Sequence, residues 1–208
     1  MKGYFITFEG IDGCGKSTQA DLLEQSLKDR GCDVTHTFEP GGTALGRKLR
    51  PILTDGGTEL SLFAEVLLFA ADRRQDMDEV ILPALGRGGV VIGERFADSS
   101  IVYQGVAGNV GRDRVRNLMS IVTDGLVPDL TFLLDIAPEH SLARKTSLDR
   151  IEQRDRFLGI ARQAYLELAH EDAARFVVLD ASRAIEALSQ DILDSALLRL
   201  EHRRYDHV

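Results

Sequence analysis

The stretch that most restricts what this chain can fold into is GIDGCGKST, residues 10–18. Gly10, Gly15, Lys16 and Ser17 meet the spacing G-x4-G-K-[ST]. In that pattern glycine lets backbone N–H groups turn inward onto phosphate oxygens. The motif needs a strand before it and a helix after it, and both neighbours qualify. YFITFE (4–9) is apolar and β-branched, and residues 17–30 place Leu22, Leu23 and Leu27 on one helical face. Lys28 and Arg30 suit the last turn of that helix, and Gly31 can cap it. The helix N-terminus adds partial positive charge. Lys16 would reach the β- and γ-phosphates of a nucleoside triphosphate, and the Ser17 hydroxyl would join Mg²⁺. A glycine turn that merely opens a helix explains the letters but not the context. Gly13 sets a second question, because that position supplies none of the positive charge that phosphoryl transfer needs.

Bulk properties narrow the partners. With 208 residues and a formal net charge of −8, a basic surface coating nucleic acid is excluded. An anionic ligand must instead meet local arginines, such as Arg73 and Arg74 or the run from Arg144 to Arg156. No apolar run approaches the ~18 residues of a membrane span, and the N-terminus enters a strand-like run without a signal peptide. Cys14 and Cys32 are the only cysteines. Neither a disulfide framework nor a zinc site is supported, and a reducing cytoplasm fits.

Strand-like runs at 32–38, 89–94, 129–136 and 175–180 join 4–9, and helical patterns alternate with them. A helix entered near Thr43 runs through KLRPIL, a long helical stretch spans 59–85, and others cover 97–104, 111–125, 138–147, 155–173 and 183–200. This alternation, with the glycine loop, predicts an α/β phosphate-binding fold: a parallel five-stranded sheet with helices on both faces. Residues 1–208 are expected to form one domain. The absence of an NKxD-type guanine motif weakens a GTPase, and the chain is too short and acidic for a helicase core. A small kinase needs a second pocket and a mobile source of arginine.

FEGIDGCGKST, EPGGT (39–43), LLFAADRR (67–74), ERFADSSIVYQG (94–105), PDLTFLLD (128–135) and LDRIEQRD (148–155) follow one another along the chain. As a set they resemble bacterial thymidylate kinases, from about residue 3 to 190. The resemblance implies an α/β fold of P-loop kinase type with a lid segment at about 143–156, and transfer of the ATP γ-phosphoryl group to dTMP, giving dTDP and ADP in dTTP synthesis, by a cytoplasmic homodimer with Mg²⁺ as cofactor. Another P-loop nucleoside monophosphate or deoxynucleoside kinase, or a non-catalytic nucleotide-binding switch, is the alternative.

The same resemblance implies roles for individual residues. ATP would be held by Gly10, Asp12, Gly13, Cys14, Gly15, Lys16, Ser17 and Thr18, with Arg144 against adenine. Phe69 would stack on thymine and Arg73 would hydrogen-bond the base, with Ser100 and Gln104 at its edge. Tyr103 would lie beside the sugar, where bulk disfavours a ribose 2′-hydroxyl. Arg95 and Arg50 would hold the acceptor phosphate, and Asp12, Glu39, Pro40 and Ser99 would complete the pocket. Lys16, Arg95, Arg150 and Arg154 would be the catalytic cations, the last two supplied by the lid to fill the gap at Gly13. Metal would be met by Ser17, Glu9 and Glu94, although the family usually has Asp where Glu94 stands. Asp135 ends a strand but is expected to be structural.

The residues by themselves leave alternatives open. Phe69 in LLFAA fits a core position, Arg73 and Arg74 a solvated helix face, Tyr103 an ordinary half-buried tyrosine, and 143–156 a charged helix–loop–helix. No general base is expected, because a phosphate monoester with a second pKa of about 6 is already anionic near neutrality.

Overall fold

The computed structural model describes residues 3–55, 58–144 and 157–205. Five strands, β1 (Tyr4–Glu9), β2 (Val34–Phe38), β3 (Val90–Glu94), β4 (Leu130–Asp135) and β5 (Phe176–Asp180), form one sheet in the order β2-β3-β1-β4-β5. Every pairing is parallel. β1 and β4 are the apolar runs of the sequence, and they lie inside the sheet where both faces are covered. β2 and β5 form the edges and are less buried. The chain leaves β1 toward one edge and later crosses to the other, so β1 marks the point where strand order reverses. Ligands of such sheets bind there, beyond the C-terminal ends of the strands.

The helices are α1 (Lys16–Lys28), α2 (Ala44–Thr54), α3 (Leu62–Asp76), α4 (Leu82–Gly86), α5 (Ala97–Ser100), α6 (Arg112–Val122), α7 (Pro138–Ala143), α8 (Phe157–Glu171) and α9 (Ile185–Tyr205). α2 begins where the sequence indicates, with the Thr43 hydroxyl accepting from Gly46 N–H at 3.0 Å. Among the described residues no helix is long and apolar enough to cross a membrane.

The helices differ from expectation in two places. The stretch expected as helix over 59–85 is interrupted by a π-helical turn at Met77–Ile81. Pro83 has no N–H for the carbonyl four residues back, and the wider turn precedes it. A second π-helical turn, Ile101–Ala107, follows α5 where one ordinary helix was expected. It ends at Gly108, where a Cβ would come within 2.9 Å of two carbonyl oxygens. This turn carries Tyr103 and Gln104, both buried.

The pleat of the sheet sorts the polar strand ends. Phe8 and Phe38 pair with Glu94, and His36 pairs with Ile92, so His36 and Glu94 point to one face. Glu9 follows Phe8 and points to the opposite face, as does Thr7, whose hydroxyl meets that of Thr131 at 2.8 Å.

Candidate active site

The glycine loop after β1 adopts a shape that only glycine tolerates well. Gly10, Gly13 and Gly15 have φ of 136°, 76° and 101°. A Cβ on Gly10 would lie 2.6 Å from the Leu134 carbonyl oxygen. No side chain caps α1, so the N–H groups of its first turn remain for an anion. Lys16 is 8% exposed, and its ammonium donates to the carbonyls of Gly10 at 3.0 Å and Ile11 at 3.1 Å. Ser17 and Thr18 are exposed at the head of the helix. Cys14 departs from what a nucleotide-facing thiol would require. It is 1% exposed and packs in the apolar core beside Gly10, so the loop presents no thiol to solvent.

On the face of the sheet that α1 covers, Ser17 donates a short hydrogen bond to Glu94. His36 lies beside this pair, its Nε2 3.4 Å from Glu94 Oε1 and its Nδ1 2.9 Å from Glu24 Oε2. Burial pulls the His36 pKa down, but the Glu94 and Glu24 carboxylates outweigh it and raise the value. For Glu94 burial works upward, and the approach of His36 and the hydrogen bond from Ser17, with Lys16 nearby, bring its pKa below the usual value. A hydroxyl and a carboxylate oxygen are the hard donors that Mg²⁺ accepts.

Glu9 does not join them. It is fully buried on the other face, accepting from Phe96 N–H at 2.8 Å, Ser99 Oγ at 2.6 Å and Tyr165 OH at 3.0 Å. Burial and the nearby Asp98 raise its pKa, against Arg95. The expected grouping of Glu9 with Ser17 and Glu94 is therefore corrected, because the pleat of the sheet directs it away from them. Asp135, expected to be structural, accepts from Arg162 on both its oxygens, at 2.6 and 2.8 Å.

Beyond the strand ends lies a cavity of about 110 Å³. Its lining joins Asp12, Glu39, Pro40, Arg50, Phe69 and Arg73 from one side to Arg95, Ser99, Ser100, Tyr103 and Gln104 from the other, with Thr54. All the residues expected around the acceptor are brought together here. Arg95 is the floor of the cavity's loop side. It has φ 70°, a left-handed conformation that costs a non-glycine residue about 1–3 kcal/mol. Its guanidinium pairs with Asp12 and donates to Ser99 Oγ at 2.9 Å, Tyr165 OH at 3.3 Å and Gly10 O at 3.3 Å. The guanidinium also lies 5.0 Å from the centre of the Tyr103 ring. Asp12 thus touches both halves of the site, since Lys16 lies 3.6 Å from the same carboxylate.

Arg73 is 1% exposed, so it is not the solvated cation its sequence alone allows. It donates to Glu39 Oε2 at 2.6 Å, Ser100 Oγ at 2.9 Å and the Phe96 carbonyl at 2.8 Å. Gln104 donates to Glu65 at 3.0 Å. Arg50 reaches the Pro40 carbonyl at 2.6 Å and lies over the Phe38 ring at 5.8 Å. Phe69 is half-buried on α3, with one side against the core and the other on the cavity. Arg144 is exposed and donates to the Ala181 carbonyl at 3.2 Å. Arg150 and Arg154 lie outside the described residues.

Three residues of the site escape sequence reasoning. Tyr165 sits on an amphipathic helix and looks like core, yet its hydroxyl joins Ser99, Glu9 and Arg95. Thr54 closes α2 and lines the cavity. His36 carries a faint signal, a basic side chain within an otherwise uncharged strand.

A glycine loop at the switch point and an arginine-lined cavity beside it describe a two-substrate phosphotransferase. The family model for thymidylate kinase matches residues 8–192. The chain belongs to the thymidylate kinase family. It is 43% identical over 196 residues to the thymidylate kinase of Caldanaerobacter subterraneus subsp. tengcongensis, covering 93% of this chain and 94% of that one. The thymidylate kinase of Bifidobacterium longum is 46% identical over 194 residues, covering 90% and 94%. Among solved structures, the thymidylate kinase of Ehrlichia chaffeensis superposes with a TM-score of 0.78 at 30% identity, covering 95% of this chain and 100% of that one. Membership of the thymidylate kinase family makes the protein a kinase, and the parallel five-stranded sheet is the architecture expected of it.

Proposed function

We propose that this enzyme transfers the γ-phosphoryl group of ATP to dTMP, giving dTDP and ADP for dTTP synthesis. The observation that carries the proposal is the cavity of about 110 Å³ that meets the glycine loop at Asp12. Two phosphate-holding sites adjoin there, and one has an aromatic wall. In this reading Phe69 stacks on the thymine, while Arg73, Ser100 and Gln104 address its edge. Arg73 is already held by Glu39, so the base meets a guanidinium that does not have to be ordered on binding. Tyr103 crowds the sugar position against a 2′-hydroxyl.

Arg95 and Arg50 hold the acceptor phosphate, for which a planar guanidinium offers paired donors. Asp12 and Ser99 fix the direction of Arg95 before the substrate arrives. Lys16 and the first turn of α1 neutralise the donor phosphates. Ser17 and Glu94 would hold Mg²⁺, which when bound offsets charge on the β- and γ-phosphates. The acceptor oxygen is already anionic, so the chain supplies positioning and charge rather than a base. Gly13 brings no charge to the loop, and Arg150 and Arg154 of the lid segment are assigned that task.

The same reading makes the enzyme a cytoplasmic homodimer. Leu45 and Ile52 of α2 and Leu62 and Leu67 of α3 are exposed apolar side chains suited to a shared face, which sedimentation would test. The decisive experiment measures acceptor-dependent ADP release with ATP-Mg²⁺ and dTMP, dUMP, UMP, CMP or AMP. Strong preference for dTMP is the expected result. Preference for another acceptor would overturn the substrate assignment, and release independent of any acceptor would overturn the transfer reaction.

A further inference from the structure

We infer that His36 is a positioning residue for Glu94, bracing its carboxylate so that the other oxygen stays on Ser17. The inference rests on the proposal that Ser17 and Glu94 hold the metal. Glutamate is one methylene longer than aspartate, and it has one more bond about which to turn. Mg²⁺ demands near-ideal geometry, so a longer ligand arm needs a second constraint.

The structure contains one. Glu94 Oε2 accepts from Ser17, and Glu94 Oε1 lies 3.4 Å from His36 Nε2. That spacing is an ion-pair approach rather than a well-formed hydrogen bond. Nε2 is buried and has no better partner. The opposite ring nitrogen is fixed: Nδ1 lies 2.9 Å from Glu24 Oε2 and 3.6 Å from Asp21 Oδ1. Glu24 in turn takes the Lys28 ammonium at 2.6 Å. The path therefore leaves α1 at Ser17, crosses Glu94 on β3 and His36 on β2, and returns to α1 at Glu24. Carboxylates on both sides orient the imidazole, in the way that outer partners orient metal-binding side chains. The strand register supports this placement, since His36 pairs with Ile92, two residues before Glu94 on the same face.

The test measures Mn²⁺ affinity of the ADP complex by the free-ion EPR signal, with dTMP affinity and melting temperature alongside. His36→Ala is expected to weaken Mn²⁺ binding about 10-fold or more, within the roughly 10–100-fold range for lost outer partners. His36→Gln, which keeps an N–H donor, should retain most of the affinity, and dTMP affinity should not change in either variant. In a Glu94→Asp background the shorter carboxylate no longer reaches the ring, so adding His36→Ala should cost less than about twofold. The inference is overturned if His36→Ala leaves Mn²⁺ affinity unchanged while lowering the melting temperature, or if its loss is equally large in the Glu94→Asp background. If Glu94→Gln itself leaves Mn²⁺ affinity intact, the metal assignment fails first and the role of His36 falls with it.

Discussion

Lowering the pH from 8 to 6 should raise the thermal stability of the ligand-free protein. The cause lies under the EPGGT loop, beside the cavity. Glu39, Asp72 and Asp76 are 5%, 1% and 0% exposed, and the charge of the Arg73 guanidinium acts on all three. Glu39 takes Arg73, Asp72 takes the Gly41 N–H at 3.2 Å, and Asp76 takes the Thr37 hydroxyl at 2.7 Å. One oxygen of each carboxylate is buried without a hydrogen-bond donor. Arg73, with Arg50 acting on Asp72, does not offset the burial of three carboxylates, so protons must. Burial pushes Glu39 up to about 8, opposed by Arg73 and helped by Asp76 and Asp72. Burial likewise raises Asp72 to about 6 and Asp76 to about 6.

All three folded values lie above the unfolded ones of 4.5 and 3.8. The folded state therefore binds more protons. The associated stability is complete below the unfolded values and is lost as pH rises through the folded ones. From pH 7 to pH 6 the three groups together contribute on the order of 2 kcal/mol, the larger share from Glu39. For a chain of this size that is a rise of about 4–8 °C in melting temperature. His36, also raised, acts in the same direction, and the lowered carboxylates Glu24 and Glu94 lose their contribution only at lower pH. Calorimetry from pH 5.5 to 8.5 at constant ionic strength reads the slope. Glu39→Gln keeps an acceptor for Arg73 and should remove the larger share of it. A melting temperature that is flat or falls from pH 8 to 6, or a slope unaltered in Glu39→Gln, would refute the reasoning.

Other outcomes bear on catalysis. Phe69→Ala should raise the KM for dTMP roughly 5- to 150-fold with little change in kcat, from the ~1–3 kcal/mol of a base stacked on an aromatic ring. Tyr165→Phe removes a hydroxyl shared by Ser99, Glu9 and Arg95, and urea unfolding should show a loss of about 1–3 kcal/mol. Arg150→Ala or Arg154→Ala should lower kcat about tenfold, equal to ~1.4 kcal/mol, with modest change in KM; steady-state turnover that stays normal in both would end the lid assignment.

Much of the fold is legible because the parallel strands are short apolar runs between helical patterns. All five strands appear within two residues of their expected bounds. The two π-helical turns were not legible. Apolar spacing marks a helix against the core, but it does not distinguish a turn of ordinary pitch from a wider one over five to seven residues. The second of these carries Tyr103 and Gln104 to the cavity. In sequence that segment is only YQG after a helix start, and the family resemblance alone marks it as a site.

Glu9 and Glu94 show where sequence reasoning stops. Each ends an apolar strand after the same kind of run, and each looks equally able to meet a metal. Which face each one takes depends on the pleat and on the pairing of Phe8 with Glu94, and no local signal encodes that pairing. Once the register is known, the two carboxylates separate. Glu94 turns to the helix that opens with Lys16 and Ser17, and Glu9 turns to the side of Arg95. The gap at Gly13 then has a structural counterpart. Arg95 is held in a left-handed conformation beside the Gly10 carbonyl and tied to the loop through Asp12. In the proposed function a side chain so placed serves the acceptor phosphate from the acceptor side of the loop. Charge on the transferring group beyond that of Lys16 is there assigned to the lid arginines.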